Sequence, residues 1–135
     1  MTMKKILFIA LMIPCFASAL KVVGASDWVM VGKGSNGDVI YIDAESIQRN
    51  VDYITFWDRT NLSSRNQDGN LSFKTNITVN CRTKESILVY FMAFDDLDNR
   101  GILTESFAAP YTTTWQPIVP GSAYAKEMQF VCNKK

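Results

Sequence analysis

The cysteines are the residues of this chain whose chemistry can be assigned first. The sequence contains three, Cys15, Cys81 and Cys132. Cys15 lies in an amino-terminal segment that we expect to be removed, so the mature chain keeps an even pair, as suits an oxidising compartment. We therefore predict a disulfide between Cys81 and Cys132, which would close a loop of roughly 50 residues and stabilise the fold by roughly 4 kcal/mol.

Catalytic chemistry has little support in the remaining residues. The chain contains no histidine, which is the usual general base and zinc ligand. Cysteines that are joined in a disulfide are not nucleophiles, and no glycine-rich phosphate loop opens a helix. We predict that the protein is not an enzyme, with no catalytic residues, no cofactor and no bound metal.

The acidic run that begins at Asp96 is the segment closest to a metal-binding motif. It places Asp96, Asp98 and Gly101 at positions one, three and six of an EF-hand calcium loop. Arg100 then stands at position five, where an oxygen ligand is needed, and Phe107 stands at position twelve, where a bidentate Glu is required. We interpret this run as a polar hairpin turn.

Aromatic and basic side chains are the candidates for recognition of a partner. Trp28 and Trp57 lie in alternating strands, so we assign them to packing in the core or at its edge. Trp115 lies among threonines and prolines and is a candidate for the surface. Arg59 and Arg65 belong to a polar segment, residues 58–71, that we interpret as a hairpin tip or mobile loop. We therefore predict that Arg59, Arg65 and Trp115 bind a partner.

The amino terminus has the three parts of a secretory signal peptide. A short basic region is followed by an apolar run, residues 6–16, and then by Ala17-Ser18-Ala19. We predict a cleaved signal peptide over residues 1–19, with Ala17 and Ala19 forming the cleavage site. The apolar run is shorter than the ~20 residues that span a bilayer, so we expect no transmembrane segment in the mature chain.

The residues just before Cys15 bear on lipid anchoring. Ile13 and Pro14 fit poorly the small and apolar box that precedes the acylated cysteine of a bacterial lipoprotein. We expect ordinary cleavage and no lipid anchor. The protein would then be exported to the periplasm or to the outer-membrane surface.

Composition indicates one folded domain over residues 20–135. The chain has 135 residues, of which 47% are hydrophobic, a proportion that supports a core rather than disorder. Removal of the signal peptide would leave 12 basic and 13 acidic residues. Such a balance argues against a nucleic-acid binder, which needs a basic surface.

Hydrophobic periodicity predicts a mostly β fold. In residues 72–82 a mainly apolar set alternates with polar residues, which is typical of a strand with one buried face. The set is Phe73, Thr75, Ile77, Val79 and Cys81. Residues 87–94 are apolar on both faces, which favours a central or doubly covered strand. This second strand also suggests a homodimer with the interface near it.

The carboxy-terminal segment leaves two interpretations open. Ser122 could cap a helix over residues 123–131, with Tyr124, Met128 and Val131 on one face. Alternatively, the segment is a strand; good helix formers favour the helix. The predicted fold class is α+β, mostly β, with an antiparallel sheet of about five to six strands, a carboxy-terminal helix packed on it and one disulfide.

Several segments together resemble a known family. In order they are Trp28-Val29, Tyr41-Ile42-Asp43 with Ser46-Ile47, Phe56-Trp57, Cys81, the stretch Trp115-Gln116-Pro117-Ile118-Val119-Pro120-Gly121-Ser122, and the final Cys132. This order resembles the surface-adhesin protein E family, small exported proteins of Gram-negative bacteria. The resemblance implies a sheet with a carboxy-terminal helix bound to it by a disulfide. It also implies a dimer and protein partners, with host extracellular-matrix and serum proteins as candidates.

The leading functional hypothesis is a non-enzymatic, adhesin-like binding protein of the cell envelope. The alternative is a soluble periplasmic protein, either a carrier of a small ligand or an inhibitor of an envelope enzyme. A deep apolar pocket between sheet and helix would favour the carrier, whereas a solid core would favour protein binding.

Overall fold

The computed structural model of the chain describes residues 24–110 and 113–134. The predicted signal peptide, with Ala17, Ala19 and Cys15, lies outside the described residues. Within the described residues, no helix is both long and apolar enough to cross a membrane.

One antiparallel sheet forms the body of the molecule. Its main path follows the order β1-β2-β4-β5-β6-β7, while β3 pairs with β4 and β8 pairs with β6. The predicted fold class is confirmed, although the sheet has eight strands because two short pieces join it. The strands are β1 (Trp28–Lys33), β2 (Val39–Asp43), β3 (Gln48–Asn50), β4 (Tyr53–Asn61), β5 (Ser72–Asn80), β6 (Glu85–Phe94), β7 (Leu103–Ala108) and β8 (Gln116–Pro117).

Strand β4 is longer than the sequence predicts. It continues through Asp58, Arg59 and Thr60 and pairs with β5 as far as Asn61 and Ser72. The interpretation of residues 58–71 as a loop is therefore wrong for its first four residues. Hydrogen bonds to both neighbouring strands hold these polar residues in the sheet, and only residues 62–71 form the hairpin loop.

The core lies on one face of the sheet. Alternate residues of β2, β4 and β5 point to this face, among them Ile42, Phe56 and Ile77, each at most 1% exposed, as the strand period of two requires. The same buried cluster includes Val131 of the helix. We call this side the helix face and the opposite side, over which no described element packs a buried cluster, the open face.

The α-helix of the described residues, α1 (Ala123–Asn133), packs on the helix face. The backbone N–H of Ala125 donates a hydrogen bond of 3.2 Å to Ser122 Oγ, which satisfies one of the free amides of the first turn. The helical interpretation and its cap are confirmed, and the strand interpretation of this segment is wrong. The ammonium group of Lys126 also donates to the backbone carbonyl of Lys33, at 2.6 Å, and so ties the helix to β1.

The disulfide between Cys81 and Cys132 is confirmed. It joins the residue just after β5 to the last turn of α1, with a Cα–Cα distance of 5.8 Å. Both cysteines pack against the buried cluster. The bridge therefore fastens the helix to the end of a central strand.

Strand β6 is central, as its doubly apolar sequence predicts. It pairs with β5 on one side and with β7 and β8 on the other. Its two faces are not equally covered, since Ala93 is fully buried and Val89 is 41% exposed. Its outer neighbour β7 has exposed residues throughout.

Candidate functional site

The open face carries a row of aromatic and cationic side chains. Arg59 of β4 stands between two rings, with its guanidinium carbon 4.6 Å from the ring centroid of Trp28 and 4.6 Å from that of Tyr41. It also forms an ion pair with Asp98 at 3.4 Å, and its side chain is only 12% exposed. Arg59 is therefore the anchored centre of the row.

Lys74 extends this arrangement across β5. Its ammonium nitrogen lies 4.9 Å from the ring centroid of Trp57 and 5.9 Å from that of Trp28. Trp57 in turn meets Tyr90 of β6 edge to face, with centroids 6.1 Å apart. We call this set the open-face row, and it consists of Trp28, Tyr41, Trp57, Arg59, Lys74 and Tyr90.

Strand register explains why these residues meet. Tyr41, Arg59 and Lys74 are direct neighbours across β2, β4 and β5. Cross-strand neighbours on one face have side chains within contact range. Cations over aromatic rings contribute roughly 0.5–1 kcal/mol each at exposed sites, so the row is held in place by contacts among its own members.

The three predicted partner-binding residues lie in different surroundings. Arg59 belongs to the open-face row, whereas Arg65 lies in the hairpin loop and donates to the carbonyls of Gly69 and Asp95, at 2.8 and 2.7 Å. Trp115 is 36% exposed and packs on Tyr53, with ring centroids 5.6 Å apart. Tyr53 begins β4 and Arg65 follows its end, so the structure places Trp115 and Arg65 at opposite ends of that strand.

Trp28 and Trp57 differ from their sequence assignment. Both are half-buried on the open face and neither belongs to the buried cluster. The alternation along β4 does indicate the position of Trp57. Ile54 and Phe56 face the core, so Trp57, one residue after Phe56, must point to the opposite face.

A buried pair of carboxyl groups lies on the other side of the sheet. Asp58 of β4 and Glu127 of α1 are 4% and 2% exposed. Burial raises the pKa of Asp58 to about 6, and burial together with the charge of Asp58 raises the pKa of Glu127 well above its usual value. Burial and these two acids also raise the pKa of Tyr124.

Sequence reasoning did not find this pair. Asp58 was counted as the start of a polar loop, and Glu127 as a residue that favours helix. Each is unremarkable in its own segment. Only the packing of α1 across β4 brings the two acids together, and no local spacing signals that contact.

Cavities lie along the boundary between α1 and the sheet. One of about 330 Å³ is mostly apolar and lies beside Leu88, Pro117 and Tyr124. A second, of about 260 Å³, contains Asp58 and Glu127. The helix therefore does not seal the sheet completely.

The acidic turn that follows β6 is held by its own hydrogen bonds. Asp95 accepts from the backbone N–H of Ile102 at 2.6 Å, and Asp96 accepts from that of Leu97 at 2.7 Å. Across the described ranges, no group of three or more His, Cys, Asp or Glu residues is placed to hold a metal ion.

Comparisons with known proteins agree with this architecture. A family profile described as surface-adhesin protein E matches residues 28–133. A structure of Haemophilus influenzae protein E in crystal form II is similar with a TM-score of 0.58 and 20% identity, covering 84% of this chain and 96% of that one. The selenomethionine form of the same protein gives 0.56 and 19%, covering 78% and 84%. At such identities the structural likeness shows the fold alone, and the search of curated proteins found no match.

Proposed function

Because this chain belongs to the surface-adhesin protein E family, we propose that it is a non-enzymatic envelope protein that binds protein partners through the open face of its sheet. The observation that carries the proposal is the open-face row. Trp, Tyr and Arg are the residue types that dominate binding energy at protein interfaces. Here they are preassembled on a rigid sheet, which lowers the entropy cost of binding.

Lys74 indicates the chemistry of the partner. Its ammonium group lies over Trp57, and within the described part of the chain no carboxylate pairs with it. An acidic group on a partner would complete this site with a charge-assisted contact. Host extracellular-matrix and serum proteins are the partners that we propose to test.

A binding experiment tests this function. The mature protein and its Lys74→Glu variant are compared on immobilised matrix and serum proteins by surface plasmon resonance. We expect Lys74→Glu to weaken binding at least about tenfold, because it places a carboxylate opposite the partner's acidic group. Lys84→Glu is the matched control, since Lys84 is exposed on the turn between β5 and β6. Equal losses in both variants would contradict the open face as the binding surface.

We also propose export with cleavage after Ala19 and without a lipid anchor. Membership of the family supports a protein of the cell surface or envelope. The signal-peptide pattern supports export with cleavage after Ala19. Fractionation with surface proteolysis, followed by the mass of the mature chain, tests it. A mature chain that begins at Leu20 is the expected result, and a mass that shows acylated Cys15 would overturn it.

A homodimer is a further part of the proposal. Exposed apolar side chains gather around β7, including Ile102 at 69% and Leu103 at 47% exposure. Because β7 ends the main path of the sheet, its outer edge can pair with another chain. This edge lies beside β6, the strand that suggested a dimer.

The alternative is a carrier of a small ligand. The apolar cavity of about 330 Å³ favours it, because pockets of this size and character hold small molecules. Native mass spectrometry of protein purified from cells distinguishes the two functions, since a carrier would retain a bound molecule.

A further inference from the structure

Two oxygen atoms in the smaller cavity lack hydrogen-bond donors. Asp58 and Glu127 line this cavity and lie within hydrogen-bonding reach of each other. Two carboxyl groups can make that bond only if they share a proton. Without that shared proton, Asp58 Oδ1 and Glu127 Oε2 are buried and have no hydrogen-bond donor among the described residues. Buried oxygens without a hydrogen bond destabilise the folded protein, so a ligand that donates hydrogen bonds to them would be stabilised in this site.

The walls around the pair are mainly aromatic and apolar, and the three hydroxyls of Thr60, Thr75 and Tyr124 add polarity. Among the residues that line the cavity there is no lysine or arginine to neutralise the acids. The site thus combines a negative end with an apolar body. The wall residues are Thr60, Phe73, Thr75, Leu88, Phe91, Ala123 and Tyr124.

The chemistry of the cavity discriminates between possible occupants. Calcium takes six to eight oxygen ligands, a number that two carboxyl groups and three hydroxyls reach only if nearly every one of their oxygens coordinates the same ion. An alkylammonium ion needs fewer, because it offers three N–H donors on one charge and a hydrocarbon tail that suits aromatic walls. The cavity of about 260 Å³ exceeds the ~30 Å³ of one water molecule and has room for a short amine.

We propose that this cavity binds a small primary alkylamine as its ammonium ion, which donates hydrogen bonds to Asp58 Oδ1 and Glu127 Oε2. The cavity lies on the helix face and the open-face row on the opposite side, so this site does not rest on the proposed function. Entry of the cation favours ionisation of both acids. The proton that the pair shares is then released to solvent. The net charge of the site stays the same, because the ammonium ion brings one positive charge and the proton removes one.

Isothermal titration calorimetry with pentylamine tests the site. We expect saturable binding to the mature protein at neutral pH, with proton release detected as a dependence of the heat on the buffer's ionisation enthalpy. Pentanol, which has the same chain without the charge, should not bind. Asp58→Asn and Glu127→Gln should each weaken binding at least tenfold. The matched controls Asp68→Asn and Glu45→Gln change exposed acids and should bind as the wild type does.

Four results would overturn the proposal. They are the absence of pentylamine binding, equal binding of pentanol, unchanged binding by both cavity variants, and binding of calcium chloride in place of the amine. A second probe, Nα-acetyllysine methylamide, identifies the source of the amine. If it binds as pentylamine does, a lysine side chain of a partner can also enter the cavity; if only pentylamine binds, the site takes a free amine.

Discussion

Asp58 and Glu127 make the stability of the protein depend on pH in an unusual direction. A carboxyl group whose pKa is higher in the folded chain binds its proton more tightly when folded. The pKa of Asp58 rises from 3.8 to about 6. Its contribution is therefore present below pH 3.8 and lost as the pH rises through about 6. The third titratable group that faces the pair, Tyr124, adds no positive charge that would compensate.

We expect the free energy of unfolding to fall as the pH rises from about 4 to about 6, by an amount on the order of 1–3 kcal/mol. In Asp58→Asn this fall should be much smaller, because the amide stays neutral and can donate to Glu127. Urea denaturation at a series of pH values measures both. Asp68→Asn, which changes an exposed acid, should keep the wild-type slope. A wild-type profile that is flat over this range would contradict the burial of an acid pair.

The sequence predicted whether a side chain is buried only where the local pattern of apolar and polar residues determines it. The alternation of residues 72–82 correctly assigned Thr75, Ile77 and Val79 to the buried face. It could not assign Asp58 to that face, because a buried acid breaks the pattern that predicts burial. Arg59 was selected as a basic residue of a loop, whereas its partners Trp28 and Tyr41 come from strands whose register no local pattern reveals.

Among the elements, α1 depends most on long-range contacts. Its first turn is capped by Ser122, but long-range contacts hold it to the sheet. These are the disulfide, the buried Val131, and the hydrogen bonds from Arg49 to the Val131 carbonyl and from Lys126 to the Lys33 carbonyl, both at 2.6 Å. A helix of 11 residues is marginal on its own in water. The bridge should therefore matter more for this helix than its capping residue does.

Replacing Cys81 and Cys132 together by serine should lower the free energy of unfolding by roughly 4 kcal/mol, as expected when a long loop is no longer closed. Denaturant titration with and without reductant measures the effect. The reduced wild type should match the double variant, and the variant itself should not respond to reductant. If oxidised and reduced wild type unfold at the same denaturant concentration, the bridge does not constrain the unfolded chain.

The helix and the long strands were predictable because each has its own periodic signal. The strands β3 and β8 span three and two residues, too few to show a period. They form because β4 and β6 present free hydrogen-bonding edges beside them. Whether such short pieces join the sheet depends on the strand beside them and not on their own sequence. The sequence alone therefore predicted five to six strands, whereas the sheet of the described residues has eight.

At the scale of the whole molecule, the two faces of the sheet have separate chemistry. One carries cations between aromatic rings, and the other carries a buried acid pair under a helix. Consecutive residues of one strand point to opposite faces of the sheet, so Asp58 and Arg59, both in β4, belong to different surfaces. A variant on one face should therefore leave the chemistry of the other largely unchanged.

The dimer is a prediction about the assembled molecule. Light scattering across micromolar concentrations should show a dimer for the wild type and a monomer for Ile102→Lys, because a charge beside the edge of β7 opposes pairing. Val119→Lys is the control, since Val119 is 66% exposed but lies in the segment that leads to α1. A wild type that stays monomeric throughout would remove the dimer from the proposal.

The position of the disulfide also decides how the molecule would carry tension. A pull on both ends of the chain travels along the backbone to Cys81, crosses the sulfur–sulfur bond and leaves through Cys132, which are 51 positions apart in sequence. Strands β6, β7 and β8 and most of α1 lie inside the covalent loop and are shielded from that load. Among the strands, β1 to β5 lie outside the loop and can be extended by the pull, which limits the length that the oxidised protein can reach. Reduction would release the loop and add ~3.3–3.6 Å for each of its residues.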